Sequence, residues 1–165
     1  MAKPISQLQA ELKKFINSVI TKEMKILFAQ QAADTIYKRT KSGKGLTQNK
    51  VSVGSNSLKS IEPLSPGYVE YRKTKILGPF ASAKRSNLTF SGELLESIIV
   101  KVSGENVTVE IDKGMHHSGI SLDELARRVS DKGRPFFGLA DSEVKILEGF
   151  VKRTIRDRIR KLQSL

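Results

Sequence analysis

Over residues 5–39 apolar side chains recur at three- and four-residue steps: Leu8, Leu12, Phe15, Ile16, Val19 and Ile20, then Met24, Leu27, Phe28 and Ile36. That spacing lines one face of an α-helix. Thirty-five residues is long for a globular helix and no glycine or proline interrupts the run, so a kink or break near Thr21 is expected. A long helix projecting from a small core suits an oligomer better than a lone monomer.

The stripe disappears over residues 40–62, where "TKSGKGLTQNKVSVGSNSLKS" is rich in Gly, Ser, Asn and Lys and only Val51 and Val53 alternate. So long a stretch without an evident element is uncommon inside a compact domain. It reads either as a surface loop or as an arm that orders against a neighbouring subunit or nucleic acid. In "PLSPGYVEYRKTK" (63–75), Ser65 can cap a short helix and Pro66 suits its first position, placing Tyr68 and Tyr71 on one face. "ILGPFASAKRSN" (76–87) is again polar and Gly/Pro-punctuated, so residues 40–87 as a whole form an extended arm or loop region.

Alternation with period two marks the next elements. Ile98, Val100 and Val102 alternate with Ile99, Lys101 and Ser103; after the turn residues 104–106, Val107, Val109 and Ile111 alternate with Thr108, Glu110 and Asp112. This predicts an antiparallel hairpin with one solvated, charged face. Residues 91–97 before it are either one or two helical turns or a lead-in to the strand. Ser121 and Glu124 have capping-box spacing and Gly133 follows as a stop, predicting a short helix between them. "RPFFGL" (134–139) reads as a strand, with Pro135 at its edge or first residue because it has no N–H to donate. Asp141 is the expected cap of a last helix whose apolar stripe is Val144, Leu147, Val151, Ile155, Ile159 and Leu162. The whole is one α+β domain over residues 1–165: a long N-terminal helix, an extended arm, and a small antiparallel sheet packed by a C-terminal helix.

Composition changes this picture in two ways. Cysteine is absent, which excludes disulfides, thiol chemistry and Cys-based metal sites. No run reaches the roughly 20 apolar residues that span a bilayer, and the N-terminus lacks a signal-peptide pattern, so a soluble protein made in a cytoplasm is expected. The net charge of +12 is concentrated. Residues 38–86 hold eleven basic and two acidic side chains, and residues 150–165 hold six basic side chains and Asp157. Such zones favour polyanionic partners.

No catalytic constellation stands out. The adjacent pair His116 and His117 would point apart on a strand, and no third His or any Cys completes a zinc set, so a solvated loop is the expected place for them. Glu110 and Asp112 share a strand face but lack the lysine and further acid of a metal-dependent nuclease; Lys113 is offset by one position. No histidine is placed for a serine relay, and "SGKG" (42–45) is too short for a phosphate loop. Neither enzymatic activity nor any metal or cofactor is expected. No helix-turn-helix, zinc finger or RNA-recognition signature is present, so the cations suit backbone phosphate contact without sequence reading. Lys41, Lys44, Lys73, Lys75, Lys84 and Arg85 are the candidates.

Three segments carry a family resemblance. "LTFSGELLESI" (88–98) resembles the "L…tG-x-L-x-x-S-I" signature of tailed-phage tail-completion and head–tail joining proteins. "GRPFFGLADSEVKIL" (133–147) looks like the "R-x-F-L-G-L-S" turn and helix of the Mu-type virion-morphogenesis group, and "PLSPGYVEYRKTK" resembles that group's "P-L-S-x-x-Y…K" segment, in the same order along the chain. Ile61-Glu62 stands where that group often has tryptophan, and its "H-x-x-G" is only approximated by His116 to Gly119.

The resemblance implies a non-enzymatic virion protein of the neck or tail, assembled in the host cytoplasm into a homo-oligomeric ring, hexameric or dodecameric. Its partners would be portal or connector, tail-terminator or tail-tube proteins, with genomic DNA in the channel and no membrane. It gives the double phenylalanine a role: one of Phe136 and Phe137 enters the core while the other, with Tyr68 and Tyr71, is available for packing or a subunit interface. The competing reading is a cellular, sequence-independent nucleic-acid-binding protein.

Overall fold

The Thr21 hydroxyl accepts a hydrogen bond from the Met24 N–H and starts α1 (Lys22–Lys41). In this computed structural model the described residues are 14, 16, 19–47, 56–74 and 92–164. Lys14, Ile16 and Val19 are helical, Ile20 bends, and Thr21 has extended backbone, so the break expected near Thr21 is present. The Thr21 cap explains it: an N-cap must leave helical dihedrals to aim its oxygen at the next turn. The rest of the 5–20 stripe lies outside the described residues.

After α1 the chain reverses through Gly43 (φ 81°) into β1 (Lys44–Leu46), which pairs antiparallel with β2 (Leu58–Ser60), Lys44 opposite Ser60 and Leu46 opposite Leu58. The sequence predicts no strands here. Its Gly- and Ser-rich composition hides the ladder because only Leu46 (1 % exposed) and Ile61 (7 %), 15 positions apart, supply its buried apolar contacts. Val51 and Val53 lie outside the described residues. Ser65 then caps α2 (Pro66–Lys73), as expected, accepting from the Tyr68 N–H.

The lead-in to the hairpin is a single helical turn, α3 (Glu93–Glu96), and its Leu94 and Leu95 are buried. β3 (Ile98–Ser103) and β4 (Asn106–Ile111) form the expected antiparallel hairpin, with Ile98 opposite Ile111, Val100 opposite Val109 and Val102 opposite Val107; Asn106, expected in the turn, pairs with Ser103. On the other face Lys101 Nζ lies 3.3 Å from Glu110 Oε2, the charged side foreseen for this hairpin. α1 packs on both strands. α4 (Leu122–Asp131) starts at Ser121, which accepts from the Glu124 N–H, and stops before Gly133, whose φ of 72° a side chain would strain.

α5 (Asp141–Gln163) packs on α1, with Glu143 against Arg39 and the Phe150 ring edge-on to Phe28 at 5.9 Å. Its cap differs from expectation. Ala140 is the N-cap; its N–H donates to Glu143 Oε2 (2.8 Å), and Asp141 is the first helical residue. The Asp141 carboxylate instead accepts from the Asn56 N–H (3.3 Å), while the Asp141 N–H donates to the Asn56 carbonyl (2.8 Å). Asp141 therefore ties the 56–60 segment to the last helix.

The core gathers Leu94, Leu95, Ala126 and Phe136, with Tyr37, Ile98, Ile111, Leu125, Val129 and Phe137 packed against it. The fold is α+β, with two small two-stranded antiparallel sheets and the C-terminal helix packing against the long first helix. Among the described residues no helix is long and apolar enough to cross a membrane.

Candidate functional site

Residues 134–139 form a loop instead of the expected strand. The backbone carbonyls show why. Pro135 O accepts from the Leu46 N–H of β1 (2.8 Å), Phe136 O and Gly138 O accept from the Arg39 guanidinium, the latter at 3.0 Å, and Leu139 O accepts from Asn56 Nδ2 (3.3 Å). Four acceptors that strands on either side would have shared are satisfied by three separate segments. Arg39 also contacts Glu143, Nη1 to Oε2 at 2.7 Å, with both side chains buried. Burial works against the Arg39 charge and the Glu143 carboxylate offsets part of that.

This clasp aims the two phenylalanines. Phe136 is 0 % exposed and fills the core. Phe137 packs edge-on to Phe136 at 6.4 Å and lines an open groove of about 930 Å³ between β4 and α4 with Val109, Ile111, Ala126 and Arg127. The pair still divides between the core and an outer groove. The division comes from a carbonyl-anchored loop rather than from strand alternation.

The candidate cations are spread over separate elements. Lys41, on the last turn of α1, sits with Nζ 5.6 Å from the Tyr37 ring centroid, and Lys44 is exposed at the start of β1. Lys73 is ion-paired with Glu70 at 2.6 Å on the surface of α2. Lys75, Lys84 and Arg85 lie outside the described residues. Arg39 and Arg72, which belong to the same basic zone by sequence, are buried. Lys152, Arg153, Arg156, Arg158, Arg160 and Lys161 are all exposed on α5, with Lys152 3.7 Å from Glu148 and Arg160 3.9 Å from Asp157. Tyr68 and Tyr71 are exposed and stacked, ring centroids 6.0 Å apart and planes 17° from parallel, with the Arg72 guanidinium 5.9 Å from the Tyr68 centroid.

The carboxylates Glu110 and Asp112 are each engaged locally. Glu110 accepts from Thr108 Oγ1 (2.8 Å) and faces Lys101; the hydroxyl first, and the ammonium after it, hold its carboxyl below the ordinary range. Asp112 accepts from the Lys113 N–H (2.8 Å). The histidines lie in the loop expected for them but are not simply solvated: their rings come together at 3.9 Å and the His116 side chain is 13 % exposed. Both face Glu93, with His117 Nδ1 2.8 Å from Oε1 and His116 Nε2 3.6 Å from Oε2. The His117 N–H also donates to Glu93 Oε2 (3.1 Å), and this bond leads in lowering the Glu93 carboxyl pKa.

Sequence patterns do not single out Arg39, Asn56, Glu93 or Glu143. Arg39 looks like an ordinary helix-terminal cation and Glu143 like a first-turn acid, both of which the helix dipole explains unaided. Glu93 has one available signal, its place directly after Gly92 (φ 85°), which sets the start of α3. No protein-family model matches this chain, and no curated protein or solved structure shows significant similarity to it.

Proposed function

We propose that this chain is a structural protein of a tailed-phage virion, one subunit of a ring at the head–tail junction through which DNA passes. One observation carries the reading: the three segments that resemble that group converge in space. Leu94 and Leu95 of the first share a core cluster with Phe136 of the second, and Arg134 Nη2 donates to the Pro63 carbonyl of the third at 3.4 Å. Two motifs that share a core, with the third joined to them by a hydrogen bond, support common descent better than the same motifs scattered over a surface. The surface suits assembly: Tyr68, Tyr71 and Ile146, the last 72 % exposed, present large apolar area that a neighbouring subunit would cover. The exposed cations of α5 suit sequence-independent contact with DNA phosphates.

The test is deletion of the gene from the phage genome that carries it. Filled heads and separate tails that fail to join are the expected outcome, with the protein found in wild-type virions by mass spectrometry. Normal infectious particles from the deletion would overturn the proposal and favour a nucleic-acid-binding role through α5.

A further inference from the structure

We propose that Glu93, His116 and His117 bind one divalent transition-metal ion of the zinc class, independently of any role in a virion. Among the described residues this is the one group of three or more His, Asp or Glu side chains whose ligand atoms all lie within 4.8 Å of one another. Two imidazoles and a carboxylate are the donor set that borderline cations prefer, whereas Mg²⁺ and Ca²⁺ favour oxygen shells. Zinc sites with three protein ligands commonly leave a fourth position to water.

The spacing fits. For metal–ligand bonds of about 2.0–2.1 Å in a tetrahedron, ligand atoms stand about 3.3 Å apart. His117 Nδ1 stands 2.8 Å from Glu93 Oε1 and His116 Nε2 3.6 Å from Oε2, and one ligand atom from each of the three residues lies within 4.8 Å of the others, so side-chain rotations that draw the three atoms to about 3.3 Å make room for an ion.

His116 Nδ1 accepts from the Ser118 N–H (3.2 Å) and lies 2.7 Å from Ser118 Oγ, so an ion at Nε2 requires the ring proton to leave Nε2 for Nδ1, where Ser118 Oγ can accept it. Such an outer partner commonly fixes the tautomer of a metal-bound histidine. At His117 the coordinating atom is Nδ1, so its proton moves to Nε2 of a ring that is 56 % exposed. The loop itself is braced: the His116 N–H donates to Ile120 O (2.8 Å), Gly119 N–H to His116 O (2.8 Å) and Leu122 N–H to Gly114 O (2.9 Å). The His116 side chain is 13 % exposed and Glu93 35 %, leaving an open rim for entry. A bound ion would join the 114–122 loop to α3, whose Leu94 and Leu95 lie in the core, and would thereby stabilise the folded state by mass action.

The experiment uses the untagged full chain, stripped with EDTA and dialysed. Calorimetric titration with Zn²⁺ is expected to saturate at one ion per chain, and saturating Zn²⁺ to raise Tm by roughly 3–6 °C while Mg²⁺ leaves it unchanged. Co²⁺ should give the intense visible absorption of a four-coordinate site. Glu93→Gln and His116→Gln should each weaken Zn²⁺ binding at least ~10-fold, with Glu110→Gln unaffected. Absence of saturable binding to the wild-type chain overturns the proposal whatever the variants do. So does unchanged binding in both Glu93→Gln and His116→Gln.

Discussion

Arg39 and Glu143, 104 positions apart in the sequence, meet as a buried ion pair with Nη1 2.7 Å from Oε2. The same guanidinium holds the carbonyls of Phe136 and Gly138, and the same carboxylate caps α5 through the Ala140 N–H. One pair thus locks α1, the Phe136–Phe137 loop and α5 together. Removing Arg39 alone leaves a buried carboxylate unpaired and should cost roughly 3–5 kcal/mol. Replacing both partners, as Arg39→Met with Glu143→Leu, should cost less than the sum of the single changes by at least ~1 kcal/mol. Urea unfolding of the four proteins checks this; additive losses would mean the two side chains act separately.

Phe136 and Phe137 should fail differently. Phe136→Ala empties a fully buried site and is expected to cost roughly 3–5 kcal/mol. Phe137→Ala removes a groove-lining ring and should cost well under half of that, while reducing assembly into particles if the proposed ring exists. Thermal unfolding and particle infectivity, scored separately for each mutant, measure the split. Equal loss of stability in both would remove the distinction drawn between the rings.

Gly45 marks a close approach of β1 to the 134–139 loop. A Cβ there would stand 2.6 Å from Pro135 O and 3.2 Å from Ile61 Cγ1, and a backbone oxygen cannot swing aside as a side chain does. Gly45→Ala should therefore cost about 1–3 kcal/mol and raise the hydrogen-exchange rate of the Leu46 N–H, which bonds that same carbonyl. Gly149→Ala is the contrast, because nothing lies within 4 Å of its added Cβ within α5. It should stabilise by about 0.5–1 kcal/mol.

Glu124 accepts hydrogen bonds from Arg127 and Arg128, which lower its carboxyl pKa from 4.5 to about 2. A depressed folded-state value means that its contribution to stability is present above the unfolded pKa of 4.5 and is lost as pH falls toward about 2. Carboxyl carbon NMR should show Glu124 titrating near 2 at low salt and moving upward as salt screens the exposed cluster. A midpoint at the ordinary glutamate value would show that the arginine contacts are not maintained in solution.

Binding to duplex DNA should be sequence-independent and steeply salt-sensitive. Because Arg39 and Arg72 are buried, the cluster of exposed cations on α5 should dominate. A variant that removes one phosphate-binding cation, such as Arg153→Ala or Arg156→Ala, should reduce the steepness of log affinity against log salt by about 0.9. A footprint confined to one sequence and persisting at high salt would contradict backbone-only binding.

What the sequence by itself determined were features decided within a few residues. Thr21, Ser65 and Ser121 cap helices because an N-cap needs only the N–H groups two or three positions ahead. The 98–111 hairpin is legible because alternation and a short turn set its register without outside help. The Phe136–Phe137 run stands out in the sequence, and its division between the core and an outer surface is expected from there. Its backbone is not: whether four carbonyls bond a strand or Arg39, Asn56 and β1 depends on groups up to 99 positions away. The β1–β2 ladder is hidden for the same reason, since Leu46 is anchored by a proline carbonyl far along the chain. Local pattern places His116 and His117 in a solvated loop with no third ligand beside them. Only the tertiary structure turns both toward Glu93, because the loop between β4 and α4 folds back on α3 through hydrogen bonds that no local window contains.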